Sequence, residues 1–103
     1  MKKILIAGGA GFIGYHLTKR LVKQKFKIYS VDNLSTGSLK NIKEFKKFNN
    51  FHFIKKDITK KINLECDVIY NLACPASPKQ YQINPINTLK TNVIGSYNLL
   101  NLA

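Results

Sequence analysis

Apolar positions fall in short runs and in helical stripes that alternate along the chain. Residues 2–7 hold the run Ile4-Leu5-Ile6-Ala7, which ends in glycines, the pattern of a strand buried on both faces. Ile13, Leu17 and Leu21 recur at i, i+4 and i+8 and predict a helix over 12–23 with that face in the core. Residues 27–32 (KIYSVD) read as a second strand, followed by a loop over 33–38. A weak basic helix is expected over 39–48, a third strand over 51–54 and a fourth over 66–71. Pro85 suits the first turn of a long helix over 85–103, whose stripe Ile86, Leu89, Val93, Tyr97 and Leu100 is expected to pack in the core.

Apolar strands alternating with helices predict an α/β fold with a parallel sheet covered on both faces. Right-handed crossovers give a Rossmann-type doubly wound parallel sheet of strand order 3-2-1-4. Such a sheet usually continues past its fourth strand, so residues 1–103 are expected to be the N-terminal half of that domain, a fragment of a longer protein. The length agrees with one small domain.

Charge changes this picture little. The formal net charge is +12, but the lysines are scattered and Arg20 is the one arginine. Phosphate and base recognition favours arginine, so no nucleic-acid partner is expected. No apolar run approaches the roughly 20 residues of a membrane span, and the N-terminal run is too short for a secretion signal, which predicts a cytoplasmic protein with no membrane partner. Cys66 and Cys74 are expected to be reduced thiols, and neither His16 nor His52 sits in a catalytic or metal-ligand pattern. No metal is expected.

The chemistry lies in Gly8-Gly9-Ala10-Gly11-Phe12-Ile13-Gly14, between a strand and a helix. Glycines stand at 8, 11 and 14, and also at 9, 11 and 14 in GxGxxG spacing. Gly8 permits a tight turn, Gly11 lets backbone approach a pyrophosphate, and Gly14 lets helix pack on strand. The pyrophosphate would then lie on the helix N-terminus, where unpaired N–H groups and the dipole favour negative charge. Asp32 ends the second strand 18 residues after Gly14, close to the roughly 20 expected of the acid on an adenosine ribose. A carboxylate there accepts from ribose hydroxyls and repels a 2′-phosphate, so the expected cofactor is NAD and not NADP.

GGAGFIG, DNLSTG at 32–37 and NLA at 71–73 resemble the extended short-chain dehydrogenase/reductase superfamily of nucleotide-sugar epimerases, dehydratases and decarboxylases. The stretch Ala73-Cys74-Pro75-Ala76-Ser77-Pro78, then Tyr81, Asn84-Pro85, Thr88 and Lys90-Thr91-Asn92, is similar to the UDP-glucuronate decarboxylase (UDP-xylose synthase) branch. The resemblance implies that Gly8, Gly11, Phe12, Ile13 and Gly14 line the pyrophosphate turn. It implies that Asp32, Asn33, Thr36 and Gly37 hold the adenosine ribose. Asp57 would accept from the adenine amine, with Ile58 packed on the ring. Leu72, Ala73 and Cys74 would pass the nicotinamide-side ribose, and Thr91 would face the same cleft. Lys90, Tyr81 and Asn98 would contact the substrate, Asn98 at its diphosphate. The substrate implied is UDP-glucuronate, and the full-length form is implied to be a homodimer.

Asn71 stands where the superfamily usually has His, Tyr15 where Ser is common, and Ser96 where Thr is common. The superfamily's catalytic Ser/Thr and Tyr-x-x-x-Lys are not expected in this stretch. Tyr81 and Tyr97 are followed four positions later by Pro85 and Asn101. No catalytic residue is therefore assigned within 1–103, and the stretch alone is expected to be inactive. Two alternatives are an NAD-dependent nucleotide-sugar 4-epimerase or 4,6-dehydratase, and a non-catalytic dinucleotide- or nucleic-acid-binding module.

Overall fold

The computed structural model describes residues 2–34, 39–60, 62, 64–73, 86 and 90–102. β1 (Lys3–Ala7), α1 (Phe12–Val22), β2 (Lys27–Asp32), α2 (Leu39–Lys43), β3 (Phe51–Lys55) and β4 (Val68–Asn71) follow one another. A π-helical turn, Thr91–Gly95, then leads directly into α3 (Ser96–Leu102). The strands form one four-stranded sheet of order β3-β2-β1-β4. All three pairings are parallel, with Ile4 beside Ile28 and Val68, and Ile28 beside Phe51. This is the Rossmann-type order the alternation predicts.

β1 shows why the sheet is covered twice. Ile4 and Ile6 point into one core with Val22 of α1, Ile42 of α2, and Phe45 and Phe51. Leu5 and Ala7 point to the opposite face, into a second core with Val31, Ile58, Ile62 and Leu99 of α3. A period of two with both phases apolar leaves no face for water.

Two helical phases differ from the sequence pattern. In α1 the buried residues are Gly14, Thr18 and Val22, one position past the predicted stripe. Leu17 and Leu21 pack at the edge of the core, while Ile13 is 65% exposed. The helix meets the turn after β1 at its smallest residue, Gly14, and that close approach sets its rotation. In the C-terminal segment the buried positions are Gly95 and Leu99, with Leu102 packed beside them. Val93, Tyr97 (63%) and Leu100 (76%) are exposed instead of forming the core stripe, as is Ile86. Gly95, without a side chain, is the contact point with Ile58, and it turns the larger apolar residues outward.

Shorter elements have local causes. The predicted helix over 39–48 is helical only to Lys43, and then Phe45, Lys46 and Phe48 close tight turns with N–H bonds to the carbonyl three residues back. Lys40, Lys43, Lys46 and Lys47 crowd like charges there, with Glu44 as the one acid. β4 begins at Val68 because Asp67 terminates it, donating its N–H to the Lys3 carbonyl (2.8 Å) and accepting the Lys3 N–H on Oδ2 (2.8 Å). Asn50 also joins two elements, donating to the carbonyls of Val22 (3.0 Å) and Phe26 (2.7 Å) at the end of α1.

Candidate functional site

The carboxyl ends of β1, β2 and β3 bring the glycine loop, Asp32 and Asp57 to one rim of the sheet. Gly8 leaves β1 at φ +84°, and a Cβ there would run into the Leu72 carbonyl. Its N–H donates to the Val31 carbonyl at 2.7 Å, and the Gly11 N–H donates to the Gly8 carbonyl at 3.2 Å. Gly14 packs so closely on Gly8 and Gly9 that a Cβ would overlap the Gly8 carbonyl. Internal packing therefore requires these two glycines. Gly11 is different, because among the described residues a Cβ there would meet only the Gly8 carbonyl, at an ordinary 3.4 Å. The described residues leave space above Gly11 that they do not use themselves.

Gly11 is also the N-cap of α1, with no side chain capping it and no acid in the first turn. The first helical bond runs from the Tyr15 N–H to the Gly11 carbonyl (2.8 Å). The N–H groups of Phe12, Ile13 and Gly14 have no intrahelical partners, as in any first turn. Phe12 (78% exposed) and Ile13 flank them at the surface. An uncapped 11-residue helix with a vacant approach at its N-cap suits a pyrophosphate.

Asp32 is half-buried beside this loop. Its Oδ2 accepts the Ala10 N–H at 2.9 Å and its Oδ1 accepts the Leu34 N–H at 2.7 Å. Each carboxylate oxygen keeps a lone pair for a further donor. The carboxylate thus holds the glycine loop at Ala10 and retains acceptor capacity beside it. Asn41, which the sequence reading missed, supports the loop by donating to the Ala10 carbonyl at 2.9 Å. An Asn in a basic helix gives no sequence signal of that contact.

Asp57 follows β3. The Asn33 amide donates to its Oδ2 at 3.5 Å, and the Thr59 N–H donates to its Oδ1 at 3.0 Å. Burial pushes the Asp57 carboxyl up, but the N–H and hydroxyl of Thr59, the Asn33 amide and the Lys60 charge outweigh it. Its pKa is therefore held below the ordinary aspartate value. A depressed folded-state pKa stabilises the fold above the unfolded pKa of about 3.9, and that contribution is lost as pH falls through the lower folded value. The stability gap between wild type and Asp57→Asn, measured by urea unfolding, should be constant above about pH 5 and close progressively below about pH 4. A gap independent of pH would show that these bonds do not favour the charged form.

Several expected contacts are corrected. Ile58 is 3% exposed, enclosed by Leu5, Val31, Leu99 and Gly95, so its side chain belongs to the core and is not open to an adenine ring. Asn98 donates its amide hydrogens to the carbonyls of Ile58 (2.8 Å) and Lys60 (3.4 Å). With both hydrogens so used, it has no donor left for a diphosphate.

Tyr15, expected only as a departure from the superfamily pattern, does have a lysine four positions on, Lys19. Its hydroxyl donates to Glu44 Oε1 at 2.8 Å. That bond, burial and the Glu44 charge all raise the phenol pKa. A catalytic base needs the opposite shift.

Leu72 donates its N–H to the Ala7 carbonyl (2.8 Å), which carries Leu72 and Ala73 past the glycine turn. Asn71 donates to the Ser96 hydroxyl at 3.1 Å, and its Oδ1 accepts the Ala73 N–H at 3.3 Å. Two of the departures from the superfamily pattern thus bond to each other. Lys90 is exposed, immediately before the π turn that begins at Thr91. Thr36, Gly37, Cys74 and Tyr81 lie outside the described residues. Among the described residues no three His, Cys, Asp or Glu side chains could together hold a metal ion, and no helix is long and apolar enough to cross a membrane.

Comparison with known proteins gives the family and the fold. Residues 5–103 match the family described as GDP-mannose 4,6 dehydratase. The chain is 48% identical over 102 residues to UDP-glucuronic acid decarboxylase 1 of Danio rerio, covering 99% of this chain and 24% of the relative. It is 49% identical over 102 residues to UDP-glucuronic acid decarboxylase 3 of Arabidopsis thaliana, covering 98% of this chain and 30% of the relative. Among solved structures it is similar to the dTDP-glucose 4,6-dehydratase of Bacillus anthracis in complex with NAD, with TM-score 0.82 and 32% identity over 99% of this chain and 33% of that one. The chain thus spans between about a quarter and a third of the length of the proteins it matches.

Proposed function

The chain belongs to the GDP-mannose 4,6 dehydratase family, within the extended short-chain dehydrogenase/reductase superfamily, and on that footing we propose that it is the NAD-binding part of a UDP-glucuronate decarboxylase. The observation that carries the cofactor assignment is the unused space above Gly11, flanked by an uncapped helix N-terminus and the Asp32 carboxylate. The N–H groups of Phe12, Ile13 and Gly14 would hold the pyrophosphate. Asp32 and Asn33, with Thr36 and Gly37, would hold the adenosine ribose, and Asp57 would accept from the adenine amine. Leu72, Ala73 and Cys74 would border the nicotinamide half, with Thr91, while Lys90 and Tyr81 would face the sugar. NAD, when bound, supplies reversible hydride acceptance. In the proposed reaction the sugar C4 hydroxyl is oxidised to a 4-keto group, the C5 carboxylate leaves as carbon dioxide, and reduction at C4 gives UDP-xylose.

The substrate assignment rests on the 48–49% identity to named decarboxylases, against 32% to the dehydratase. Residues 1–103 by themselves are proposed to bind NAD without turnover, because they supply no catalytic tyrosine. The test is the protein made from its native locus, incubated with NAD and UDP-glucuronate. Carbon dioxide and UDP-xylose should form. Turnover of UDP-glucose or dTDP-glucose instead would replace this reading with the epimerase or dehydratase one.

We also propose that the full-length form is a homodimer joined through the exposed face of Val93, Tyr97 and Leu100. Clustered exposed apolar residues of this kind mark interfaces. The double change Tyr97→Glu, Leu100→Glu should halve the sedimenting mass without unfolding the subunit. An unchanged mass would exclude this face.

A further inference from the structure

The two hydrogen bonds that remove Asn98 from substrate binding give it another task. The carbonyls it grips, those of Ile58 and Lys60, belong to the turn 57–60. That turn is closed by the Lys60 N–H on the Asp57 carbonyl at 3.0 Å, and inside it the Thr59 N–H donates to Asp57 Oδ1 at 3.0 Å. From the other side Ile58 is pressed onto Gly95, where a Cβ would overlap its Cδ1. One helical segment therefore fixes the turn at two points, through the Asn98 amide and through the bare Cα of Gly95. The Asp57 carboxylate is held within the turn by Thr59 and from outside it by the exposed Asn33 amide at 3.5 Å, so its direction follows the orientation of the turn.

We propose that Asn98 is a positioning residue for purine recognition: it orients the turn that carries Asp57, and so governs discrimination between a 6-amino and a 6-oxo purine in the bound dinucleotide. The proposal rests on the dinucleotide reading above. A 6-amino purine offers a donor to the carboxylate. A 6-oxo purine presents an acceptor at the same place, and two acceptors repel. A residue that only stabilised the fold would weaken both ligands equally. A residue that aims the carboxylate changes their ratio.

The experiment is calorimetric titration of the full-length protein with NAD and with nicotinamide hypoxanthine dinucleotide, for wild type and Asn98→Leu. Wild type should favour NAD by about 10–100-fold, the worth of one hydrogen bond to a charged group. In Asn98→Leu the ratio should fall to within about threefold, with most of the loss on the NAD side. Thermal melting checks folding, and Asn98→Ser, which retains one donor, replaces Asn98→Leu if the latter does not fold. A wild-type ratio kept in a folded variant overturns the proposal. Equal binding of both ligands by wild type also overturns it and leaves the dinucleotide reading intact. Binding of neither ligand by wild type fails the dinucleotide reading itself.

Discussion

Gly14→Ala should be strongly destabilised, whereas Gly11→Ala should fold normally and lose the dinucleotide. The two glycines are three residues apart in one loop, yet their surroundings are opposite. At 14 the added methyl would overlap the Gly8 carbonyl and crowd the Gly9 Cα, both backbone atoms that cannot rotate away. Relief requires α1 to lift off the sheet, which would separate Val22 from Ile4 and Ile28. Overpacking costs about 1–3 kcal/mol and more where only backbone can yield, a large share of the roughly 5–15 kcal/mol total stability of a domain. At 11 the backbone is at φ −78°, which any residue adopts, and the methyl has room. Stability there should change by less than about 1 kcal/mol. The methyl would occupy the approach to the helix N-terminus, and NAD affinity should fall by about 100-fold, or about 2.7 kcal/mol. Thermal melts and calorimetry separate the two effects. Equal melting temperatures for both variants would refute the division of labour.

Asp32→Ala should raise the NAD dissociation constant by about 10²–10³-fold. The carboxylate accepts backbone N–H groups at 2.9 and 2.7 Å on its two oxygens, and in the proposed complex accepts ribose hydroxyls as well. Each hydrogen bond to a charged group is worth about 1.5–3 kcal/mol. Loss of the ribose contacts accounts for most of the change, and loosening of Ala10 adds to it. Removing the negative charge also removes repulsion of a 2′-phosphate, so the preference for NAD over NADP should narrow. Asp32→Asn, which keeps one acceptor oxygen, should fall between. An unchanged NAD/NADP ratio in Asp32→Ala would show that this carboxylate does not face the ribose.

The strand order, the two covered faces and the glycine–acid constellation were legible because they depend on local signals. An apolar run, a glycine spacing and an acid at a strand end are each visible within a few residues. The helix phases were not legible. Counting large apolar residues assigned Ile13, Val93, Tyr97 and Leu100 to the core, but the contact points are Gly14 and Gly95, which count as nothing in a hydrophobic pattern. The roles of Asn41, Asn50 and Asn98 were hidden for a related reason. Each amide reaches a backbone carbonyl 24–40 residues away, and sequence gives no measure of that distance. Ile58 was misplaced because the resemblance assigned its side chain to the adenine ring, while in the turn 57–60 that side chain points inward onto Gly95 and into the core.

The π turn at Thr91–Gly95 has a consequence for how this segment can change over evolutionary time. Gly95 and Asn98 are anchored to the turn after β3, so the downstream half of the segment cannot rotate. Each residue of a helix advances the chain by about 100°. Deleting one residue from the wide turn would swing Lys90 about a quarter of the way around the axis while Asn98 stayed in place. Substitutions at the exposed Ile94 should be tolerated far better than any insertion or deletion between 90 and 95. The spacing between Lys90 and Gly95 thus acts as a ruler, constrained by geometry more in length than in content.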